Sequence, residues 1–292
     1  MSWRTVVISR RCKLDLKMNY MEIRSDEGTN RLFLDEVSTV IVETTAVSIT
    51  GCLIAELAKK KIKLIFCDEK RNPCCEAVSY YGSHDCSRKI ENQINWNYDT
   101  KQIIWSEIVC EKIRNQAKLL KECKMENEYM HLMDYVSQVE PGDVTNREGH
   151  ASKVYFNALF GKDFTRTADN VTNAALNYGY SIILSSFNRE IVSAGYLTQL
   201  GLFHKNMFNQ FNLSCDLMEP FRILVDRAVR QNNFAEFDKE AKYSMVDILN
   251  ESVIIDSTVQ YVSNAIKIYC RSVFDSLDEN DISLIKFFDY EL

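Results

Sequence analysis

Residues 5–43 have the sequence TVVISRRCKLDLKMNYMEIRSDEGTNRLFLDEVSTVIVE, and they predict a β-rich N-terminal region. Four short runs within them are rich in Val, Ile and aromatic residues: TVVIS (5–9), NYMEI (19–23), RLFL (31–34) and STVIVE (38–43). Turn-forming residues such as Asp26-Glu27-Gly28 separate these runs, which is the pattern of successive short strands.

One helix and two further strands are predicted to complete this region. Residues 50–61 have helical spacing, with apolar residues on one face and lysines in the last turn, where they suit a helix C-terminus. IKLIF (62–66) and EAVSYY (76–81) predict strands. Residues 1–80 are therefore expected to form a small β-rich domain.

From about residue 85 the apolar residues recur at helical rather than strand spacing. After the break at Pro141-Gly142-Asp143, helices are predicted near 145–160, 170–193, 216–231, 238–249 and 253–274. The chain contains only 3 prolines, which favours long helices. The predicted fold class is therefore α+β, with the β-rich domain of residues 1–80 followed by a larger all-α domain of residues 85–292.

The charge of the chain is unevenly distributed. The net charge of −6 over 292 residues argues against a nucleic-acid-binding protein, because such proteins usually present a basic surface. However, residues 231–292 hold 12 acidic and 5 basic side chains, so the rest of the chain is close to neutral. The net charge is therefore a poor guide to DNA binding, and it describes an acidic C-terminal region instead.

Several classes of protein are disfavoured by composition. No apolar run approaches the roughly 20 residues of a membrane helix, and the N-terminus does not have the pattern of a signal peptide. The 10 cysteines include no CxxC pair, so a structural zinc site is not expected. We interpret them as free thiols in a reducing cytosol, and we expect a cytoplasmic protein that makes no membrane contact.

Glu148 lies in the segment Thr145-Asn146-Arg147-Glu148-Gly149-His150, which has two interpretations. Thr145 and Glu148 have the spacing of a capping box at a helix start, which is a structural role. Gly149 is costly in a helix unless a neighbouring group approaches closely, which favours a functional role for the segment.

A second group of polar residues follows His204. Asp216 and Glu219 stand three residues apart at a predicted helix start, where acidic residues also favour the helix dipole. Glu148, His204 and Glu219 come from three helical segments and together could bind a divalent metal. Carboxylates favour Mg²⁺ or Mn²⁺, and one imidazole shifts the preference toward Mn²⁺. Such a site suits hydrolysis or transfer of phosphodiesters.

Three segments carry a resemblance to a known family. They are NREGHASKVYF (146–156), NAALNYGYSIIL (173–184), and His204 followed by DLMEPFR (216–222). Because these three segments occur in this order and at this spacing, the chain resembles the CRISPR-associated integrase and endonuclease of the adaptation module. It is most similar to members from type II loci. The resemblance extends over the whole chain and implies a β-rich N-terminal domain and a helical C-terminal domain.

The resemblance also implies a site and an activity. The metal ligands of the family fall on Glu148, His204 and Glu219, with Mn²⁺ or Mg²⁺ as the cofactor. Glu219 stands where the family often has Asp. Asp216 is expected to support the ligands or to contact DNA. The implied reaction inserts spacer DNA into a CRISPR array, by attack of a 3′-hydroxyl on a phosphodiester at a repeat end.

The implied partners are double-stranded prespacer and repeat DNA, a second copy of the chain, and a small dimeric protein of the adaptation module. Arg147, Lys153, Lys205 and Arg222 lie near the proposed ligands in sequence. They are candidates for neutralising DNA phosphates, although pairing with Asp216 or Asp226 is an equally good interpretation. Asn173, Asn177 and Tyr178 are expected on one helical face, where they could support the site or contact DNA.

Two other classes of function remain open from the sequence. The chain could be a non-catalytic DNA-binding scaffold of the same module, in which the acidic cluster is only structural. It could also be a helical oligomerisation protein without nucleic acid, which predicts no salt-dependent affinity for DNA.

Overall fold

Eight strands form two four-stranded sheets in the N-terminal part of the computed structural model, which describes residues 4–69, 71–77, 79 and 83–290. In chain order the strands are β1 (Arg4–Ile8), β2 (Cys12–Lys17), β3 (Tyr20–Ser25), β4 (Gly28–Phe33), β5 (Val37–Val42), β6 (Val47–Ile49), β7 (Lys63–Cys67) and β8 (Pro73–Ala77). One sheet has the order β1-β5-β7-β8 and the other has the order β4-β3-β2-β6.

The first sheet is parallel except at its last strand. Val40 of β5 pairs with Val6 of β1 on one side and with Leu64 of β7 on the other, whereas β8 runs antiparallel to β7. Every residue of β5 is buried, which is typical of a central parallel strand. Helix α1 (Gly51–Lys59) packs Leu53 and Leu57, four residues apart, into the apolar core of this region.

Strands β2 and β6 were not predicted. Strand β2 alternates Lys13, Asp15 and Lys17 with two buried or half-buried leucines, so its charges hide the strand period. Strand β6 has only three residues. The predicted strand at 76–81 is observed earlier, as β8, and its residues 78, 80 and 81 lie outside the described residues.

The rest of the chain is mostly helical, as predicted. Its helices are α2 (Cys86–Ile94), α3 (Tyr98–Glu122), α4 (Glu126–Ser137), α5 (Arg147–Phe160), α6 (Val171–Ala194), α7 (Asn212–Leu217), α8 (Arg222–Asn232), α9 (Lys239–Asp247) and α10 (Val262–Glu279). Helix α3 buries residues around its whole circumference, including Trp105, Ile108 and Asn115, and this marks it as the central helix of the region.

The prediction of an all-α second domain was wrong in one place. Strands β9 (Ser252–Ile255), β10 (Thr258–Tyr261) and β11 (Phe288–Asp289) form a small antiparallel sheet. A helix was predicted over 253–274, but its first residues form a hairpin. The turn residues Asp256 and Ser257 both have positive φ, at 53° and 57°. Positive φ at both central residues is the requirement of the tight turn that joins two antiparallel strands.

By their internal contacts the residues form two units, Met1–Cys86 with Val192–Gly195, and Ser87–Ile191 with Tyr196–Leu292. The domain limits predicted at residues 80 and 85 stay predictions. Among the described residues, no helix has the length and apolar character needed to cross a membrane.

Candidate active site

Glu148 lies in the first turn of α5, and other residues cap that helix. The N-cap is Asn146, which has φ of 53° and accepts a hydrogen bond from the Gly149 amide at 3.3 Å. The buried Asp143 carboxylate accepts the amides of Arg147 and Glu148 at 2.8 and 3.0 Å. The capping-box interpretation is therefore wrong, since Asn146 and Asp143 cap the helix and leave the Glu148 side chain for other contacts.

Gly149 has the close approach that its position in the helix suggested. A Cβ atom on Gly149 would lie 2.7 Å from Oδ1 of Asn146. An alanine at this position would require the capping side chain of Asn146 to shift, so the close contact favours glycine.

Glu219 stands at the sharp junction between α7 and α8. Pro220 and Phe221 complete a 3-10 turn there, and the carbonyl of Pro220 accepts a hydrogen bond from Asn115 of α3 at 3.3 Å. Glu219 is only 5% exposed. Its Oε1 lies 3.0 Å from the Arg222 guanidinium, so the carboxylate is ionised and paired inside the fold.

Lys112 joins Glu148 to Glu219, and sequence reasoning missed it. Its ammonium contacts Oε1 of Glu148 and lies 2.6 Å from Oε2 of Glu219. Lys112 is only 7% exposed, although lysine is rarely buried. A signal existed in the sequence, because Lys112 stands four residues after the buried Ile108 and four before the buried Gln116 on α3.

The pKa shifts at these groups follow from burial and charge. Burial alone would raise the pKa of Glu219, but Arg222 and Lys112 outweigh it and lower that pKa to about 2. Burial alone would lower the pKa of Lys112, but Glu219 and Glu148 outweigh it and raise that pKa. The site therefore holds an ionised Glu219 carboxylate beside a protonated Lys112 amine.

His204 is held by the carboxylate of Asp216, which is completely buried. Asp216 accepts the amides of Leu202, Phe203 and His204 at 2.6, 3.0 and 3.2 Å, and it also bonds Nδ1 of the His204 ring. A Cβ atom on Gly201 would lie 2.7 Å from Oδ2 of Asp216, so the loop needs glycine there. Since Nδ1 is bound, Nε2 is the ring nitrogen that remains for a ligand.

The pKa of His204 is raised. The hydrogen bond with Asp216 is the largest cause, burial opposes it, and the charges of Asp216, Glu219 and Glu148 add to it. The negative field of both glutamates therefore reaches the ring of His204.

The structure separates Asn173 and Asn177 from Tyr178. Both asparagines accept hydrogen bonds from the Arg166 guanidinium, at 2.7 Å in the case of Asn177. Tyr178 instead packs against the ring of Phe237, with ring centroids 5.5 Å apart. The expectation of one shared face was wrong for Tyr178, because residues four apart share a helix face and a residue one position further does not.

The four basic candidates are placed differently. Arg222 pairs with Glu219 and lies 4.7 Å from the centroid of the Tyr180 ring. Arg147 lies over the ring of Tyr135, at 5.6 Å. Lys153 and Lys205 are exposed. Arg222 was expected to contact either DNA phosphate or the carboxylates of Asp216 and Asp226. Its observed ion-pair partner is Glu219 instead.

An open pocket of the second unit contains both glutamates, and we call it the carboxylate pocket. Its lining residues are Lys112, Gln116, Glu148, Ser152, Phe156, Arg166, Tyr180, Glu219, Arg222 and Asp226. Three cationic and three acidic side chains therefore line the pocket. The pocket can neutralise an anionic ligand such as a phosphodiester and can hold a cation between the glutamates.

The donor atoms of this pocket fit a divalent cation in part. Oε2 of Glu219 is buried, and the Lys112 ammonium lies 2.6 Å from it. It shares the Lys112 ammonium with Glu148, so two carboxylates already bracket one positive charge. No three His, Cys, Asp or Glu side chains of the described residues are gathered closely enough to hold one ion. The oxygen atoms of the two glutamates are of the kind that a hard divalent ion prefers, but His204 is not grouped with them closely enough to share one ion.

Comparison with known proteins gives matches over most of the chain. The model of the family CRISPR associated protein Cas1 matches residues 5–242. The CRISPR-associated endonuclease Cas1 of Neisseria meningitidis serogroup C (strain 8013) is 35% identical over 229 residues, which cover 78% of this chain and 75% of that protein.

Two solved structures share the fold. A casposase bound to integration product has a TM-score of 0.77 at 17% identity, over 96% of this chain and 91% of that chain. A Cas6-RT-Cas1–Cas2 complex contains a chain with a TM-score of 0.75 at 16% identity, over 97% of this chain and 36% of that chain. At such identities the likeness shows the fold alone. The match to the family model spans most of the sequence, and the chain therefore belongs to the CRISPR associated protein Cas1 family.

Proposed function

We propose that this chain is a divalent-metal-dependent DNA integrase and endonuclease that inserts spacer DNA into a CRISPR array during prokaryotic antiviral defence. The reaction is a transesterification, in which a 3′-hydroxyl attacks a phosphodiester at a repeat end. The observation that carries the proposal is the convergence of Glu148 and Glu219 on one cationic position, in a pocket that also contains Arg166 and Arg222.

Residues of the carboxylate pocket, together with His204 and Asp216, would have separate roles in this reaction. Glu148 and Glu219, with His204, would hold Mn²⁺ or Mg²⁺, and the bound ion would supply a Lewis acid for the phosphoryl oxygens. Asp216 holds His204 through Nδ1 and fixes the direction of Nε2. Arg166 and Arg222 would neutralise the phosphate oxygens of the DNA.

The comparisons support the reaction and the partners. The relative from Neisseria is named an endonuclease, and the structural neighbour with the same fold is a casposase bound to integration product. Another neighbour is a Cas6-RT-Cas1–Cas2 complex. We therefore propose double-stranded DNA, a second copy of this chain and a small dimeric protein of the Cas2 kind as partners.

Single substitutions in the metal-binding side chains test the proposal. We expect Glu148→Gln, Glu219→Gln and His204→Ala each to lower the rate of Mn²⁺-dependent strand transfer by about 100-fold or more, while duplex DNA binding persists. Circular dichroism and DNA-binding titrations on the same samples separate loss of chemistry from loss of fold. Glu126→Gln, at an exposed position of α4, is the matched control and is expected to keep full activity.

The result would also distinguish the proposed function from the scaffold alternative. A non-catalytic DNA-binding scaffold predicts that no preparation transfers strands in Mn²⁺. Strand transfer that is unchanged in all three variants would contradict the assignment of these residues.

A further inference from the structure

The ammonium of Lys112 lies where two acidic side chains meet. It contacts Oε1 of Glu148 and lies 2.6 Å from Oε2 of Glu219. The side chain of Lys112 is 9% exposed and that of Glu219 is 6% exposed, so water does little to screen this contact. One positive charge therefore balances two carboxylates that come from different helical segments.

Such a pair of glutamates requires a cation in the folded chain. Two carboxylates close together repel each other, and the desolvation of the buried Glu219 carboxylate costs free energy unless a positive charge compensates for it. Arg222 pairs with Oε1 of Glu219 at 3.0 Å, whereas Lys112 contacts Oε2 of the same carboxylate. Lys112 contacts both glutamates, so it is the group that joins them.

A divalent ion bound by the two glutamates would compete with Lys112 for their carboxylate oxygen atoms. Carboxylate oxygens bind Mg²⁺ at about 2.0–2.1 Å, and an ammonium held against the same oxygens excludes an ion from that position. The long flexible stem of lysine lets its ammonium move without movement of α3.

We propose that Lys112 is the resident cation of the Glu148–Glu219 pair in the metal-free protein, and that divalent metal binding displaces its ammonium from both carboxylates. This inference rests on the proposed metal site. Before metal binds, Lys112 holds the two glutamates in position. The affinity for metal then depends on competition between the ion and the Lys112 ammonium for the carboxylates.

Titration of the full-length protein with Mn²⁺ alone tests the inference. Isothermal titration calorimetry at pH 8 would compare the unsubstituted protein with Lys112→Met, which keeps a long unbranched side chain and removes the charge. We expect Lys112→Met to bind Mn²⁺ at least tenfold more tightly, because the competing cation is gone. Lys118→Met is the matched control, since Lys118 is on the same helix and pairs with Asp289 at 3.1 Å, and its Mn²⁺ affinity should not change.

Thermal unfolding provides a readout that does not depend on activity. In EDTA, Lys112→Met should melt several degrees below the unsubstituted protein, because the two glutamates then lack their cation. Added Mn²⁺ should raise the melting temperature of Lys112→Met more than that of the unsubstituted protein, because Lys112→Met is expected to bind Mn²⁺ more tightly. Lys112→Arg keeps the charge and should bind Mn²⁺ no more tightly than the unsubstituted protein, which gives a second test if Lys112→Met does not fold.

The possible results separate this inference from the proposed function. Equal or weaker Mn²⁺ binding by Lys112→Met overturns the role of Lys112, while a normal metal requirement for strand transfer leaves the proposed function intact. The proposed metal site and this inference both fail if the unsubstituted protein binds no Mn²⁺. They also fail if Glu148→Gln and Glu219→Gln bind Mn²⁺ as tightly as the unsubstituted protein does.

Discussion

Asp216 binds both the ring and the backbone of His204. Its carboxylate bonds Nδ1 of the imidazole and accepts the His204 amide at 3.2 Å. The same carboxylate accepts the amides of Leu202 and Phe203 at 2.6 and 3.0 Å. One buried side chain therefore fixes the loop, the ring orientation and the tautomer of His204 together, which is how a supporting carboxylate prepares a histidine ligand.

Asp216→Asn is expected to weaken both the fold and the metal site. An amide keeps the shape but places an NH₂ group against backbone donors, so at least one charge-assisted hydrogen bond is lost. We expect the free energy of unfolding to fall by about 2–3 kcal/mol in urea denaturation. Mn²⁺ affinity measured by calorimetry should fall by about 10- to 100-fold.

Asp163→Asn is the control for this prediction, because Asp163 is an exposed loop residue of the same unit. It should change neither quantity by more than about 0.5 kcal/mol or its equivalent in affinity. If Asp216→Asn were as stable as Asp163→Asn, Asp216 would not be the residue that holds the His204 loop.

The sequence patterns indicated Glu148 and Glu219, but they did not indicate that Lys112 contacts both of them. Glu148 and Glu219 were singled out by their segments, and the fold brings both into the carboxylate pocket. Lys112 was passed over because a lysine on an amphipathic helix usually faces water. Its role depends on two helical segments distant in sequence, and no local pattern records that contact.

The fold was predictable where a local period was strong. Long helices such as α6 and strands such as β5 followed their hydrophobic patterns. The hairpin of β9 and β10 was missed because Asp256 and Ser257 make the tight turn without the glycine that usually marks it. In such a segment, tertiary pairing decides between helix and strand.

Gly179→Ala is expected to destabilise the protein, although alanine is usually better than glycine in a helix. A Cβ atom on Gly179 of α6 would lie 2.5 Å from Cγ1 of Val225 on α8. We expect the clash to lower the free energy of unfolding by about 1–3 kcal/mol, which exceeds the gain of roughly 0.5–1 kcal/mol from helix propensity.

Val225→Ala removes the methyl groups that cause this clash. The double variant Gly179→Ala/Val225→Ala should therefore lose less stability than the sum of the two single variants, as measured by urea denaturation. Strictly additive losses would mean that the two residues do not limit how closely α6 approaches α8.

Arg166→Gln is expected to weaken DNA binding with a reduced dependence on salt. The Arg166 guanidinium lines the carboxylate pocket, and Asn173 and Asn177 hold it there. Loss of one phosphate contact should reduce the slope of log K against log salt concentration by about 1. Arg271→Gln, at an exposed position of α10, removes the same charge and should leave the slope unchanged. Equal slopes for Arg166→Gln and the unsubstituted protein would argue against a phosphate contact.

Asp226 is expected to make the protein less stable as the pH rises from about 4 to 6. Burial raises the pKa of its carboxyl to about 6, and hydrogen bonds from Tyr180 and Tyr155 only partly oppose this effect. In that range the folded chain binds a proton on Asp226 that the unfolded chain releases, so this contribution to stability is complete below pH 4 and is lost as the pH passes 6. Two pKa units correspond to about 3 kcal/mol. Asparagine at position 226 stays neutral at every pH. The free energies of unfolding of Asp226→Asn and of the unsubstituted protein would be measured in urea with EDTA. Between pH 4 and 6 the difference between them should change by up to this amount in favour of Asp226→Asn, and above pH 7 it should change no further. Parallel pH profiles would show that Asp226 is ionised in the folded chain throughout the range.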